Sequence, residues 1–342
     1  VIGKKPHSGG PSRRIRANVG GSRRSLGLAL AIVAISIVMT MVSPYFFAAG
    51  NFLNVARAVA ITGIVAAVST PMLISGNVDL SVAATMGLSG MTAGALLVQE
   101  LPVPVAILGA LVVGLLMGFV NAVIVVKFQV NSLIATIGTA FIARGVAFLV
   151  NSGRSIFIPA ESYVNLGQGS ALGIPKPVFY TVVVFVLIGF VMRYTKVGAH
   201  IYAVGSSPEA ARRAGISVPK ITWGVFLASG FFSALAGVVL TSQAGSAFPY
   251  GGQGRELEII AAVIVGGTAL TGGRGSITGT ILGVVLLGII ANSLNLVGLP
   301  VPYQDISRGL LLVAAVATDQ LSGRTLGGRG VFRGLRAGTE ES

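Results

Sequence analysis

Two stretches set polar and ionisable residues between long apolar runs, and they hold most of the chemistry this sequence offers. The first, Ser75-Gly76-Asn77-Val78-Asp79-Leu80-Ser81, places an amide and a carboxylate where only a short turn is available. An ionised carboxylate at mid-bilayer is costly, so Asp79 must lie near the interface, face an aqueous cavity or be paired. Two roles are open to it: N-cap of the following helix, accepting backbone N–H bonds near Ser81 and Val82, or a group lining a polar pathway. The second stretch, Val265 to Ser276, contains Gly266, Gly267, Thr268, Gly272, Gly273, Arg274 and Gly275 and follows only a short apolar run from Glu258. A run that short implies a broken or re-entrant helix whose irregular backbone is buried by protein or lined by water. It is not a phosphate-binding loop, because no Lys-Ser or Lys-Thr pair follows the glycines at the required spacing.

Polar residues also punctuate the apolar runs at Asn121, Asn131, Ser132, Thr136, Thr139, Asn292 and Asn295. They either hydrogen-bond a hydroxyl-rich solute or join helix to helix. With Asn77 and Asp79, the residues Asn121, Asn131, Thr136 and Asn295 are the candidates for a translocation pathway. The buried Asp/Glu/Lys relay of a proton pump is missing, which favours an uncharged or weakly charged cargo. The chain has no cysteine and only two histidines, His7 and His200, so thiolate or histidine-rich metal sites and cysteine nucleophiles are not expected. No nucleophile–base constellation is visible either. Catalytic residues, metal ions and cofactors are therefore expected to be none.

The elements that must position these residues belong in a bilayer: of 342 residues, 53% are hydrophobic and 10% charged. Twenty-four Lys and Arg against ten Asp and Glu give a net charge of +14, but so apolar a chain has little surface for nucleic acid. A helix needs about 20 residues to cross a hydrocarbon layer. Runs near that length predict ten spans, at 26–43, 54–74, 80–98, 103–126, 131–150, 177–195, 220–242, 256–271, 276–294 and 303–319. The expected fold is all-α and polytopic. It divides into a disordered basic tail over 1–25, a transmembrane domain over 26–319 and a C-terminal tail over 320–342.

The basic residues orient the spans, since cytoplasmic loops carry the Lys/Arg excess. Seven in the N-terminal tail, Lys127, five from Arg193 to Lys220, Arg274 and four from Arg324 to Arg336 fall on one side; Arg154, Lys176 and Arg255 fall on the other. Both termini are thus expected in the cytoplasm. Arg57, Arg144 and Arg308 lie in or at the ends of spans and are read as snorkelling to the interface. The outer segment from Asn151 to Pro177, rich in Gly and Pro, is expected to be irregular. The inner segment from Lys196 to Pro219 is expected to hold a short helix. Ser206, Ser207, Pro208, Glu209 and Ala210 give its start, Arg212, Arg213 and Ala214 continue it, and Gly215 stops it.

Ile107-Leu108-Gly109 with Gly114 and Asn121 recurs as Ile281-Leu282-Gly283 with Gly288 and Asn295, at the same spacing. On the assigned orientation the copies run in opposite directions, the signature of inverted repeats that build an alternating-access pathway. Most of the 48 glycines are read as packing residues between helices.

These motifs carry a family resemblance. Ser75 to Ser81, Ala203-Val204-Gly205-Ser206 with Ala210-Ala211 and Ala214-Gly215-Ile216, and Ala261-Ala262-Val263 through Gly266-Gly267-Thr268 to Gly272-Gly273-Arg274-Gly275 resemble the ribose, xylose and autoinducer-2 type permeases of bacterial ABC importers. The likeness extends to Gln304 and Gly309-Leu310, covering about Asn51 to Asp319; Ser206 stands where the family more often has Asn. The resemblance implies a ten-helix permease of the cytoplasmic membrane that pairs with a second copy or paralogue. It implies a cytoplasmic ATP-binding subunit, an extracytoplasmic sugar-binding protein and a monosaccharide cargo, pentose-like. It makes the helix from Ser207 to Gly215 the coupling helix that docks on the ATPase, with Glu209, Arg212 and Arg213 in charged contacts. The rival reading is a secondary carrier driven by an ion gradient. It needs titratable groups within spans, of which the sequence offers few beyond Asp79 and Asp305.

Overall fold

The computed structural model describes residues 12–300 and, beyond them, residues 302, 303, 306, 307, 309, 310 and 313, with side chains from residue 25 onward. The chain is a polytopic all-α membrane protein. Among the described residues seven helices are long and apolar enough to span a bilayer. They are α1 (Ser12–Val42, apolar from Ser25), α2 (Ala49–Ile74), α4 (Val103–Val126), α5 (Ser132–Val150), α7 (Lys176–Tyr194), α10 (Val218–Ala244) and α12 (Ile277–Leu296). Two shorter helices, the apolar α3 (Val82–Val98) and α11 (Arg255–Val265), fill the other places where spans were expected before residue 300. The tenth expected span, with Gln304, Asp305 and Arg308, and the C-terminal tail lie outside the described residues save for isolated positions.

α1 begins at Ser12. Two expectations are corrected. The span expected to reach residue 271 stops at Val265. The outer segment is ordered: β1 (Ile156–Phe157) pairs antiparallel with β4 (Ser246–Ala247), and β2 (Ser170–Ala171) pairs with β3 (Ile174–Pro175) beyond α6 (Glu161–Gln168). Tyr163 of α6 supplies the missing anchor. It is fully buried, and its hydroxyl lies 2.7 Å from Thr241 Oγ1 of α10, while Ser242 Oγ donates to its carbonyl at 2.6 Å. Burial pushes the phenol up to about 12.

α2 and α10 form the centre. Every residue of α2 from Ala60 to Ile74 is buried, and α10 packs on α2, α3 and α4. Lipid gives no hydrophobic drive for helix association, so the contacts depend on close backbone approach. A Cβ on Gly230 of α10 would overlap the Gly114 carbonyl of α4, and one on Gly118 would overlap the Phe226 carbonyl. Gly266, just past α11, crosses Gly279 of α12 in the same way. The pairs Gly114 with Gly230 and Gly118 with Phe226 make α4 and α10 antiparallel. On the outside of the bundle Leu108, Phe119, Phe141, Leu149, Val186 and Phe190 are exposed, as a lipid-facing surface requires.

Candidate functional site

The first polar stretch forms a break between α2 and α3, with Gly76 at φ +82° where an L side chain is strained. Asp79 in this break is buried, and each carboxylate oxygen is satisfied. Oδ1 accepts the Ser81 backbone N–H at 2.9 Å and the Ser81 hydroxyl at 2.6 Å; Oδ2 accepts the Ser229 hydroxyl of α10 at 2.7 Å. The chain continues outward: Asn121 of α4 donates to Ser81 Oγ at 2.8 Å, and Thr139 of α5 donates to Asn121 Oδ1 at 2.6 Å. The backbone of the break is held as well, Val78 N donating to Ser132 Oγ at 3.2 Å and Leu80 N to Thr136 Oγ1 at 3.1 Å. Buried polar groups that are fully paired fix one arrangement of the elements they join. The N-cap of α3 is Ser81, not Asp79.

Of the expected pathway residues, Asp79, Asn121 and Thr136 therefore converge. Asn77 lies at the rim of the break, its side chain donating to Ser75 Oγ at 3.0 Å. Asn131 is exposed and caps α5 through Leu133 N at 2.9 Å, and Asn295 is exposed near the other end of α12. The repeat positions Asn121 and Asn295 thus sit in different surroundings, although α12 runs antiparallel to α2 through Thr70 with Thr280 at 2.7 Å and Val59 with Gly288.

The second stretch meets the first. Gly267, Gly272 and Gly273 take φ values of +101°, +84° and +73°, so the chain turns sharply after α11. Gly273 N donates to Ile74 O, the last carbonyl of α2, at 2.8 Å. Into the same place comes α8 (Lys196–Ser206): a Cβ on Gly205 would overlap Ile74 O, and one on Gly273 would stand 2.8 Å from Ser206 Oγ. Tyr202 of α8 donates to Gly275 O at 2.9 Å. Arg274 is exposed, while the buried Thr268 hydroxyl has no partner among the described residues. Backbone from α2, α8 and the glycine-rich loop is thus locked in one junction, directly beneath the Asp79 break.

From that junction the chain enters α9 (Pro208–Arg213). Ser207 caps it, accepting from Ala210 N at 3.2 Å, and Gly215 at φ +79° ends it, with Ile216 N donating to Ala211 O at 2.9 Å. Ser206 belongs to α8. Only Ala211 of α9 is buried, so Pro208, Glu209, Ala210, Arg212 and Arg213 are all presented outward, with Ala214 and Gly215 after them.

A third group was missed in the sequence. After α10 the chain turns back along α3: a Cβ on Gly87 would stand 3.0 Å from Pro249 O and 2.9 Å from Gly251 O. α11 therefore starts within the bundle as a half-helix of 11 residues, carrying Arg255, Glu256 and Glu258 in its first turn. Thr62 of α2 donates to Glu258 Oε1 at 3.3 Å and accepts from Arg255 Nη1 at 3.2 Å, and Arg144 of α5 pairs with Glu256 at 2.8 Å. Thr62 lies 12 residues, about 18 Å, from the Ile74 end of α2, close to the middle of that helix. Arg144, near the Val150 end of α5, is ion-paired to Glu256. Glu256 Oε2 and Arg57 Nε are buried without a hydrogen-bond partner among the described residues. The only sign in the sequence was that the apolar run after Glu258, seven residues to Val265, is too short to span.

Residues 51–316 match the family model described as branched-chain amino acid transport system / permease component. The chain belongs to this family of transporter permeases. The permease is 37% identical over 298 residues to the ribose import permease protein RbsC of Haemophilus influenzae, covering 86% of this chain and 92% of that one. It is 37% identical over 228 residues to the L-arabinose ABC transporter permease protein AraH of Azospirillum brasilense, 67% of each chain. With RbsC of Bacillus subtilis it shares 34% identity over 307 residues, 89% of this chain and 95% of the relative. The family is one of transporter subunits, not enzymes, and the permease is a multi-pass protein of the inner membrane.

Proposed function

We propose that the permease is the membrane-spanning subunit of an ABC importer that carries a monosaccharide, pentose-like, inward by alternating access. A separate ATP-binding subunit drives it by docking on α9, and an extracytoplasmic sugar-binding protein delivers the cargo to a pore completed by a second copy or paralogue. The observation that carries this reading is α9 itself: a capped helix, exposed on all but Ala211, joined through α8 to the backbone junction at Ile74 and Gly273. The names of the ribose and arabinose relatives support the cargo class.

In this reading a displacement of α9 moves α8, and the Gly205 contact passes it to the end of α2 and to the glycine-rich loop. The Asp79 chain then couples the break to α4, α5 and α10, while the half-helix α11 offers Glu256, Glu258 and Arg255 to passing hydroxyls. Carboxylate and guanidinium groups suit that task, since their hydrogen bonds to neutral partners are strong. Reorientation requires only that two packings of these elements differ in affinity for the partner's nucleotide states.

The test replaces Glu209 and Arg212 together by Ala, and separately Gly215 by Val. Each variant is expected to insert normally and to lower uptake by about tenfold or more, the scale of losing a central interface contact, while the ATPase still hydrolyses ATP. Normal uptake in both overturns the docking assignment. The ionisable groups around α11 favour one second reading, an ion-driven carrier, and uptake into liposomes by the permease without ATP would establish it instead.

A further inference from the structure

Beside the junction lies a cavity of about 650 Å³ between α7, α8 and α12, well within the range of small-molecule sites. Its walls are apolar: Val182, Phe185, Val186 and Gly189 of α7 face Ile277 and Ile281 of α12. The helices meet where a Cβ on Gly189 would stand 3.7 Å from Ile277 Cγ2. Val182 and Val186 are more than half exposed, so the cavity opens toward lipid. At its end the lining changes character to Arg193, Tyr194, Tyr202, Ser276 and Thr278. Arg193 stacks over the Tyr194 ring at 5.6 Å and has no carboxylate within ion-pair distance among the described residues.

We propose that this groove binds one anionic phospholipid of the cytoplasmic leaflet, its acyl chain between α7 and α12 and its phosphate at Arg193, Ser276 and Thr278. Charge chooses the occupant. The exposed groups at this end of the bundle are Lys127, Arg193, Lys196, Arg212, Arg213, Lys220 and Arg274, against Glu209 alone among the described residues. Basic pockets between helices on the cytoplasmic side are the sites where anionic headgroups collect, and the Lys/Arg excess assigns this end to that side. Ser276 and Thr278 add hydroxyls at the start of α12, where the backbone N–H groups favour a phosphate. The lipid would rest against Tyr202, whose hydroxyl holds Gly275 O, so it fills the space behind the arm that carries α9.

The test is native mass spectrometry of the full-length permease in mild detergent with added phosphatidylglycerol or phosphatidylcholine. Wild type is expected to hold one phosphatidylglycerol in preference to phosphatidylcholine. Arg193→Gln, at an exposed position that leaves packing intact, should weaken phosphatidylglycerol binding by about tenfold or more, as expected for losing a charge-assisted contact. Arg193→Lys should keep most of it, and phosphatidylcholine binding should not change in either variant. Gly189→Phe should remove both lipids by filling the groove. Equal binding of the two lipids by wild type, or undiminished phosphatidylglycerol in Arg193→Gln, overturns the proposal. Because the chain has no cysteine, Val186→Cys introduces a unique thiol; a disulfide-linked dimer through it in native membranes would also overturn the proposal, giving the groove to a second copy.

Discussion

Gly205→Ala adds one methyl at the meeting point of α8, α2 and the glycine-rich loop. The new Cβ would lie inside the contact radius of Ile74 O and 2.7 Å from Gly273 N, both backbone atoms that cannot swing away. Overpacking of this kind costs about 1–3 kcal/mol. Separating the strands to relieve it breaks the 2.8 Å bond from Gly273 N to Ile74 O, and an unpaired buried amide adds about 1–3 kcal/mol. The variant should therefore lose several kcal/mol if the junction stays closed, or retain stability only by opening it. Gly224 of α10 is the control. Nothing lies within 4 Å of its Cβ position, so Gly224→Ala should gain about 0.5–1 kcal/mol as a helix-interior replacement of glycine. Thermal unfolding in detergent reads the first outcome, and the ratio of substrate-stimulated to basal ATP hydrolysis in the reconstituted complex reads the second. Wild-type stability together with a wild-type ratio in Gly205→Ala would refute the junction as a mechanical link.

Two further perturbations probe the buried polar groups. Ser229→Ala removes one of three hydrogen bonds to the Asp79 carboxylate and should destabilise by about 1.5–3 kcal/mol; Asp79→Asn, which can still bond Ser81 and Ser229, should be milder and Asp79→Leu more severe, and any other order in thermal unfolding contradicts the network. For Arg144 and Glu256, whose side chains are 23% and 16% exposed, either single Ala variant leaves a largely buried charge without its partner. A double-mutant cycle should show coupling of about 1–3 kcal/mol, and zero coupling would mean that the 2.8 Å contact contributes nothing.

Much of this architecture is legible along the chain because bilayer physics simplifies the problem. A span must satisfy its own backbone hydrogen bonds, so length and apolarity suffice to find α2, α4, α5, α7, α10 and α12. Local chemistry was equally transparent at α9: Ser-Pro-Glu at the start and Gly215 at the stop act within the helix itself and need no partner elsewhere. The Asp79 break was visible as an anomaly, but its solution was not, since Ser229 lies 150 residues away in sequence. The order in the outer segment was hidden for the same reason. Its anchor is one phenol, Tyr163, whose partner Thr241 is 78 residues distant.

α11 shows where reading by hydropathy fails in principle. A window that assumes a span begins at the membrane surface puts Arg255 in an outer loop and Glu256 and Glu258 at the surface end of the span expected over 256–271, where charge is harmless. The assumption breaks when the preceding chain enters the bundle as irregular backbone, which lipid forbids but a wall of α3 glycine permits. Gly87 is that wall: with any side chain there, Pro249 and Gly251 could not approach and α11 would have to start farther out. The charges then sit at depth because the backbone takes them there, and each finds a partner from α2 or α5 as the price of that position. A half-helix with paired ions inside the bundle is a poor packing element, and in the proposed reading it is the station for a polar solute, since pairs can exchange partners without exposing a bare charge to lipid. In the proposed reading the Asp79 chain, closed and fully bonded, transmits motion, while the α11 cluster, with Glu256 Oε2 unpaired among the described residues, has a bond to offer.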